Sequence, residues 1–138
     1  MKKTAVVYIS YLGTSKLYAE WLGEDIGADV LSYTSATPDV LKQYDSIVVL
    51  SGTYLGRMPL TSFLKKHWRS LSGKRIVVGA VNVLAPGDPE NATIYNRIPD
   101  TIRAGISFVK LPGYLGKGGS PAGPITRDNL APIRALLH

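Results

Sequence analysis

The sequence predicts one α/β domain, spanning residues 1–138, built on a five-stranded parallel sheet, and three observations predict it. Short apolar, β-branched runs alternate with segments of helical period, and there are five such runs. The third run is almost wholly apolar rather than alternating, as a parallel strand covered on both faces must be. The length of 138 residues suits a single core, and 45% apolar against 19% charged residues is the balance of a folded globular chain.

Each element has its own signal. Residues 4–9 (TAVVYI) have the composition of a buried strand. From Thr14 or Ser15 the period becomes helical, with Tyr18, Leu22 and Ile26 spaced by four, Leu17 and Trp21 beside them, and Lys16, Glu20 and Glu24 on the outer face. Glycines at 23 and 27 end that helix, and 29–33 (DVLSY) reads as the second strand. Thr37 and Pro38 open a short helical segment as cap and first residue, finished by Tyr44. Residues 45–50 (DSIVVL) form the third strand. The next helix carries an apolar stripe of Leu60, Phe63, Leu64, Trp68 and Leu71, read as core packing, with Lys65, Lys66 and Arg69 on its other side. Residues 75–83 (RIVVGAVNV) form the fourth strand, where small Gly79 and Ala80 imply close approach of a neighbouring helix or loop. Ile94, Ile98 and Ile102 recur every four residues, and Pro99 ends or kinks the helix read over 92–98. A fifth strand occupies 106–111, a Gly/Pro-rich irregular stretch follows over 112–124, and 126–137 closes the chain as a short amphipathic helix.

Composition excludes several classes of function. No window approaches the roughly 18 consecutive apolar residues of a membrane span. The apolar run behind Met1, Lys2 and Lys3 is too short for a signal peptide, so the expected location is the cytoplasm. Without cysteine there are no disulfides, thiolate metal sites or cysteine nucleophiles. His67 and His138 have no ligand spacing around them, so no metal site is expected. The net charge of +6 is uneven: residues 1–56 carry four Lys and six Asp/Glu, while 57–138 carry twelve Lys/Arg and four Asp/Glu. That asymmetry reads either as a solvated helix face with a basic turn or as a field for an anionic partner. Nucleic acid is disfavoured, because 57–75 lacks the interleaved aromatics of a stacking platform. The glycines of 113–120 lack the spacing of a nucleotide phosphate loop.

The chemistry concentrates in three loops. Ser10, Tyr11, Leu12, Gly13, Thr14 and Ser15 form a hydroxyl-rich turn between the first strand and the first helix. Taken alone it reads equally as an ordinary cap, with Thr14 or Ser15 satisfying the helix, or as an anion site at a helix N-terminus. The second loop, 51–59, and the third, 84–91, follow strands three and four. In a parallel sheet all three lie beyond the same edge, where ligands of such sheets gather.

These loops resemble those of the flavodoxin-like family, and the resemblance covers most of the chain, strongest over 4–112. The turn 10–15 is similar to the family's phosphate loop, with Leu12 where a hydroxyl residue is usual. The segment 52–59 resembles the loop covering one flavin face, and 80–85 with 89–91 resembles the second flavin loop. A weaker likeness, in the Val-Asn run and the Gly-Arg-x-Pro turn, is to the menaquinone-dependent protoporphyrinogen oxidase branch. The resemblance implies a flavodoxin-like three-layer fold and FMN as cofactor. It places Ser10 to Ser15 at the phosphate, Thr53, Tyr54, Leu55 and Gly56 at one ring face, and backbone of Asn82, Val83 and Leu84 at the pyrimidine edge. Tyr54 would stack on the ring, and Gly56 or the peptide before it would meet N5. It assigns no catalytic side chain and no metal. The implied function is electron transfer to or from a redox protein or an anionic small molecule, as a carrier or as an oxidoreductase of protoporphyrinogen or quinone type. A non-redox binding module on the same fold is the other reading. Arg57 beside the ring loop and the basic helix after it would favour the reduced, anionic flavin.

Overall fold

The computed structural model describes residues 3–10, 13–53, 58–113 and 121–137. Five parallel strands, β1 (Thr4–Ile9), β2 (Asp29–Ser32), β3 (Ser46–Gly52), β4 (Arg75–Asn82) and β5 (Ile106–Pro112), form one sheet in the order β2-β1-β3-β4-β5. This is the predicted class, with all five strands where the sequence places them to within two residues. The order reverses between β1 and β3, and the crevice at such a reversal is where doubly wound sheets bind ligands.

Burial follows position in the sheet. Every residue of β3 is buried and only Arg75 of β4 is exposed, whereas the outer strands β2 and β5 are mostly half-buried. Alternate side chains enter two cores. Val7, Val49 and Val78 share one row and one face, which is covered by Leu60, Phe63 and Leu64 of α3 (Pro59–Leu71). Val6, Val48 and Val77 share the next row on the opposite face, under Tyr18, Ala19 and Leu22 of α1 (Thr14–Ile26). Leu17, which the sequence groups with the apolar side of that helix, is instead 37% exposed.

The short helices carry the remaining cover. Thr37 caps α2 (Pro38–Leu41), its hydroxyl oxygen accepting from the Val40 amide at 3.4 Å, as the sequence predicts. The isoleucines at 94, 98 and 102 are all buried, but one helix does not present them. Pro99 divides the segment into α4 (Glu90–Asn96) and α5 (Asp100–Arg103), because its ring is compatible with a helix start and not with a helix interior. The closing helix predicted over 126–137 is a 3₁₀ turn, Arg127–Leu130, followed by α6 (Ala131–Leu136). Arg127 pairs with Glu24 at 2.6 Å and with Asp25 at 3.0 Å, and Arg134 reaches Asp25 at 3.1 Å, which ties this segment to the end of α1.

Two predictions follow from the core. A Cβ on Gly79 would come within 2.4 Å of Leu50 Cδ2 and 3.1 Å of Leu111 Cδ1, so Gly79→Ala should destabilise by about 1–3 kcal/mol through overpacking, read as a lower urea midpoint. His67 is 7% exposed, and burial, then the charge of Lys66, hold its imidazole below the ordinary 6.5. The unfolded chain therefore binds this proton first, and stability should be full above pH 6.5 and fall as pH drops through the interval below it. His67→Phe should flatten that part of the profile; an unchanged slope would assign it elsewhere.

Candidate functional site

Because all five strands run parallel, the loops after β1, β3 and β4 leave the sheet on one edge. The register makes this quantitative. Ile9 pairs with Ser51 and Ser51 with Ala80, so Ser10, Gly52 and Val81 stand level, and Thr53 and Asn82 lie one residue beyond. With strands about 4.8 Å apart, the three exits fall within about 10 Å of one another.

The first exit leads into α1 through Gly13, whose φ of +88° lies in the left-handed region. The Gly13 amide donates to the Ser10 hydroxyl oxygen at 2.9 Å, closing the turn on itself. The first bond of α1 runs from the Leu17 amide to the Gly13 carbonyl at 3.0 Å. The amides of Thr14, Ser15 and Lys16 therefore precede the helical ladder, and no side chain caps them. This corrects the capping alternative read from the sequence. The cap position needs positive φ, so Gly13 occupies it, while Thr14 and Ser15 already belong to the helix and Ser15 is buried at 2% exposure. A 13-residue helix with an uncapped N-terminus offers a phosphate a cluster of amides and the positive end of its dipole.

The second exit supplies Thr53. Its amide donates to the Val81 carbonyl at 3.0 Å, which extends the β3–β4 pairing past the strand ends. Its hydroxyl oxygen is buried and has no hydrogen-bond partner among the described residues. A buried hydroxyl without a partner is uncommon and costs about 1–3 kcal/mol, so its presence at this edge favours a polar ligand there.

The third exit is braced by two asparagines. Asn82, 7% exposed, accepts the Leu84 amide on Oδ1 at 3.1 Å, and its carbonyl accepts the Gly113 amide at 2.7 Å. Asn82 Nδ2 approaches Asn91 Oδ1 at 3.5 Å, and Asn91 Nδ2 donates to the Ala85 carbonyl at 3.0 Å. The two amides thus span the Pro/Gly-rich loop 84–91 from both sides. Two of the backbone groups expected at a pyrimidine edge, the Asn82 carbonyl and the Leu84 amide, are engaged inside the chain. The bracing role of Asn91 was not read from sequence; its signal is an Asn nine residues beyond Asn82, across a loop with Pro86, Gly87 and Pro89.

Of the residues singled out by sequence, Ser10, Gly13, Thr14, Ser15, Thr53, Asn82, Val83 and Leu84 stand at this edge. Tyr11, Leu12, Tyr54, Leu55 and Gly56, with Arg57, lie outside the described residues. Among the described residues no group of three His, Cys, Asp or Glu could hold a metal ion.

A family profile described as the flavodoxin domain matches residues 5–112. A curated NAD(P)H dehydrogenase (quinone) of Rhizobium rhizogenes is 34% identical over 110 residues, which are 68% of this chain and 54% of that protein. The chain thus spans about half the length of that relative. Among solved structures, the Trp repressor binding protein of Bacillus subtilis aligns with a TM-score of 0.63 at 22% identity over 98% of this chain and 97% of that one. Oxidised flavodoxin 2 of Bacillus cereus aligns with a TM-score of 0.61 at 16% identity, over 97% and 96%. A Lactobacillus acidophilus flavoprotein in complex with FMN aligns with a TM-score of 0.53 at 17% identity, over 80% and 91%.

The asparagine brace yields a direct prediction. Asn82→Ala should accelerate hydrogen exchange of the Leu84 amide by at least about fivefold, the value of one ordinary hydrogen bond, while leaving amides in the middle of β4 unchanged.

Proposed function

The chain belongs to the flavodoxin domain family, and from that premise we propose that it is a redox protein that holds FMN at the carboxyl edge of its sheet and passes electrons between that flavin and a protein or small-molecule partner. The observation that carries the reading is the pairing of an uncapped helix N-terminus at Gly13 with the buried, partnerless Thr53 hydroxyl on the same edge. A phosphate is suited to the first and a polar ribityl or ring atom to the second. When bound, the flavin supplies the one- and two-electron chemistry, and the protein sets its orientation, potential and access.

The roles of the chain's own residues follow from what each can donate. The amides of Thr14, Ser15 and Lys16 receive the phosphate, and Ser10 holds the turn open to it by taking the Gly13 amide. Thr53 offers its hydroxyl, which finds no partner among the described residues, as a donor to the cofactor. Asn82 and Asn91 fix the path of the 84–91 loop so that Val83 and Leu84 meet the cofactor with little backbone freedom left to lose. Tyr54 is the proposed stacking residue and Arg57 the nearby cation. The partner is a redox protein or an anionic small molecule, in keeping with the basic half of the chain, and the named activity of the Rhizobium relative supports a quinone, which is uncharged, as the alternative small-molecule partner. The cytoplasm is the proposed location; among the described residues no helix is long and apolar enough to cross a membrane.

The test is spectroscopic. Purified protein should show flavin absorption in the visible and release FMN, not FAD, on denaturation. Riboflavin, which lacks the phosphate, should bind at least about tenfold more weakly than FMN, since charge-assisted bonds to the helix amides are lost. Thr53→Val should weaken FMN binding by about tenfold without lowering the urea midpoint, because it removes a hydroxyl that the protein alone leaves unsatisfied. A protein that is colourless and takes up no added FMN would refute the proposal.

A further inference from the structure

A cavity of about 570 Å³ opens on the α3 face of the sheet, between the end of β1, the segment after β2, and the first two turns of α3. None of its described lining residues belongs to the flavin-binding set. Its origin is a shortage of cover. Helix α2 has four residues and spans about 6 Å, whereas the six-residue strand β1 beside it runs about 20 Å. The space that a longer helix would fill stays open. Its volume lies within the range of small-molecule sites, about 300–1,000 Å³.

The chemistry of its walls is one-sided. Ile9, Pro59 and the rings of Tyr33 and Phe63 give an apolar body with two aromatic surfaces. Lys66 is the cation of the lining, no described lining residue is acidic, and Thr34 and Ser62 bring hydroxyl donors. His67 is 7% exposed, lines the cavity, and has an Nδ1 that is buried without a partner among the described residues. The site is thus a set of donors and a cation around an apolar slot.

We propose that this cavity is a second ligand site, separate from the flavin edge, that takes a small planar organic anion, its ring between Tyr33 and Phe63 and its carboxylate or other anionic head at Lys66. The proposal stands on this geometry and does not depend on the flavin reading. Aromatic walls fix the plane of the ligand, and its charge is matched by an ammonium on α3 whose four-carbon stem lets it fold over the head group.

The experiment titrates 2-naphthoate into the purified protein, with whatever flavin it carries, and follows binding by calorimetry and by the His67 ring-proton resonance. With two histidines in the chain, His138→Ala assigns that resonance. Saturable binding is expected at millimolar or lower concentration, with a shift of the His67 signal and no loss of flavin absorbance. The neutral 2-naphthamide, and 2-naphthoate on Lys66→Met, should each bind about tenfold more weakly, the value of one charge-assisted contact. Ser62→Trp, a substitution at an exposed helix position that fills the cavity mouth, should abolish the His67 shift. No binding, binding indifferent to Lys66 and Ser62, or binding that displaces the flavin would each overturn the proposal. Absence of flavin with retained naphthoate binding would instead refute the cofactor reading and leave this one standing.

Discussion

Two-sided burial of the central strands is the constraint from which the rest of this structure follows. β1, β3 and β4 are apolar along nearly their whole length, so neither face of the sheet can be left to water. One face receives α1 and the C-terminal segment, and the other receives α3 with the short helices around it. Loops at the carboxyl edge are then relieved of packing duty. They carry the polar groups that the core cannot accept, including the Asn82–Asn91 pair and a threonine hydroxyl with no partner among the described residues. Where cover is short, at the four-residue α2, the same constraint leaves a cavity rather than a collapsed sheet, because β1 and α3 are held apart by the rows they already fill.

Electrostatically the cofactor edge is built from neutral donors. Helix amides without a side-chain cap open the proposed phosphate position, and Lys16 is the one formal cation in the first turn of α1. A helix N-terminus contributes about half an elementary charge, delivered at short range by oriented amides that need no side-chain ordering. The formal positive charge of the chain sits elsewhere, concentrated after residue 56. On the proposed reading a division of labour results: backbone dipoles would hold the phosphate, and the distributed cations would act on larger anionic partners at distances up to the Debye length of about 8 Å.

What the sequence made legible were the features set by local chemistry. Strand composition, the Pro38 helix start, the Thr37 cap and the break at Pro99 each depend on one or two residues and were all readable, whereas Pro59, read as part of the 51–59 loop, is the first residue of α3. Gly79 was readable as a close approach, although it is the side chains of Leu50 and Leu111, with Ile133 of α6 at 3.5 Å, that approach it. The cap of α1 was misassigned because hydroxyl residues are favoured at that position in general. Here a left-handed backbone decided it, and only glycine serves there without strain. Lys66 was read as part of a solvated helix face, and His67 as a histidine without ligand spacing around it. Their meeting with Tyr33 and Thr34 depends on a contact between the end of β2 and α3, which no spacing in the sequence encodes. The same holds for Asn82 and Asn91: each is unremarkable alone, and the fold brings them together.

The placement of the cavity also constrains how its ligand can act on the flavin edge. Ile9 lines the cavity and the next residue, Ser10, closes the phosphate turn, so two anionic ligands would share one stretch of backbone. At about 10 Å, two unit charges repel by about 0.4 kcal/mol in bulk water and by about 1.7 kcal/mol at the effective dielectric of about 20 that suits groups near a protein surface, and salt at physiological strength screens part of that. Lys66 offsets charge on the cavity side, so the charge route opposes the two ligands only modestly. A mechanical route runs through Ile9 into the Ser10–Gly13 turn and through Pro59 at the start of α3. By linkage either route alters the two affinities by the same factor. A coupling that vanishes in high salt would mark the charge route, and one that persists would mark the geometry of the turn.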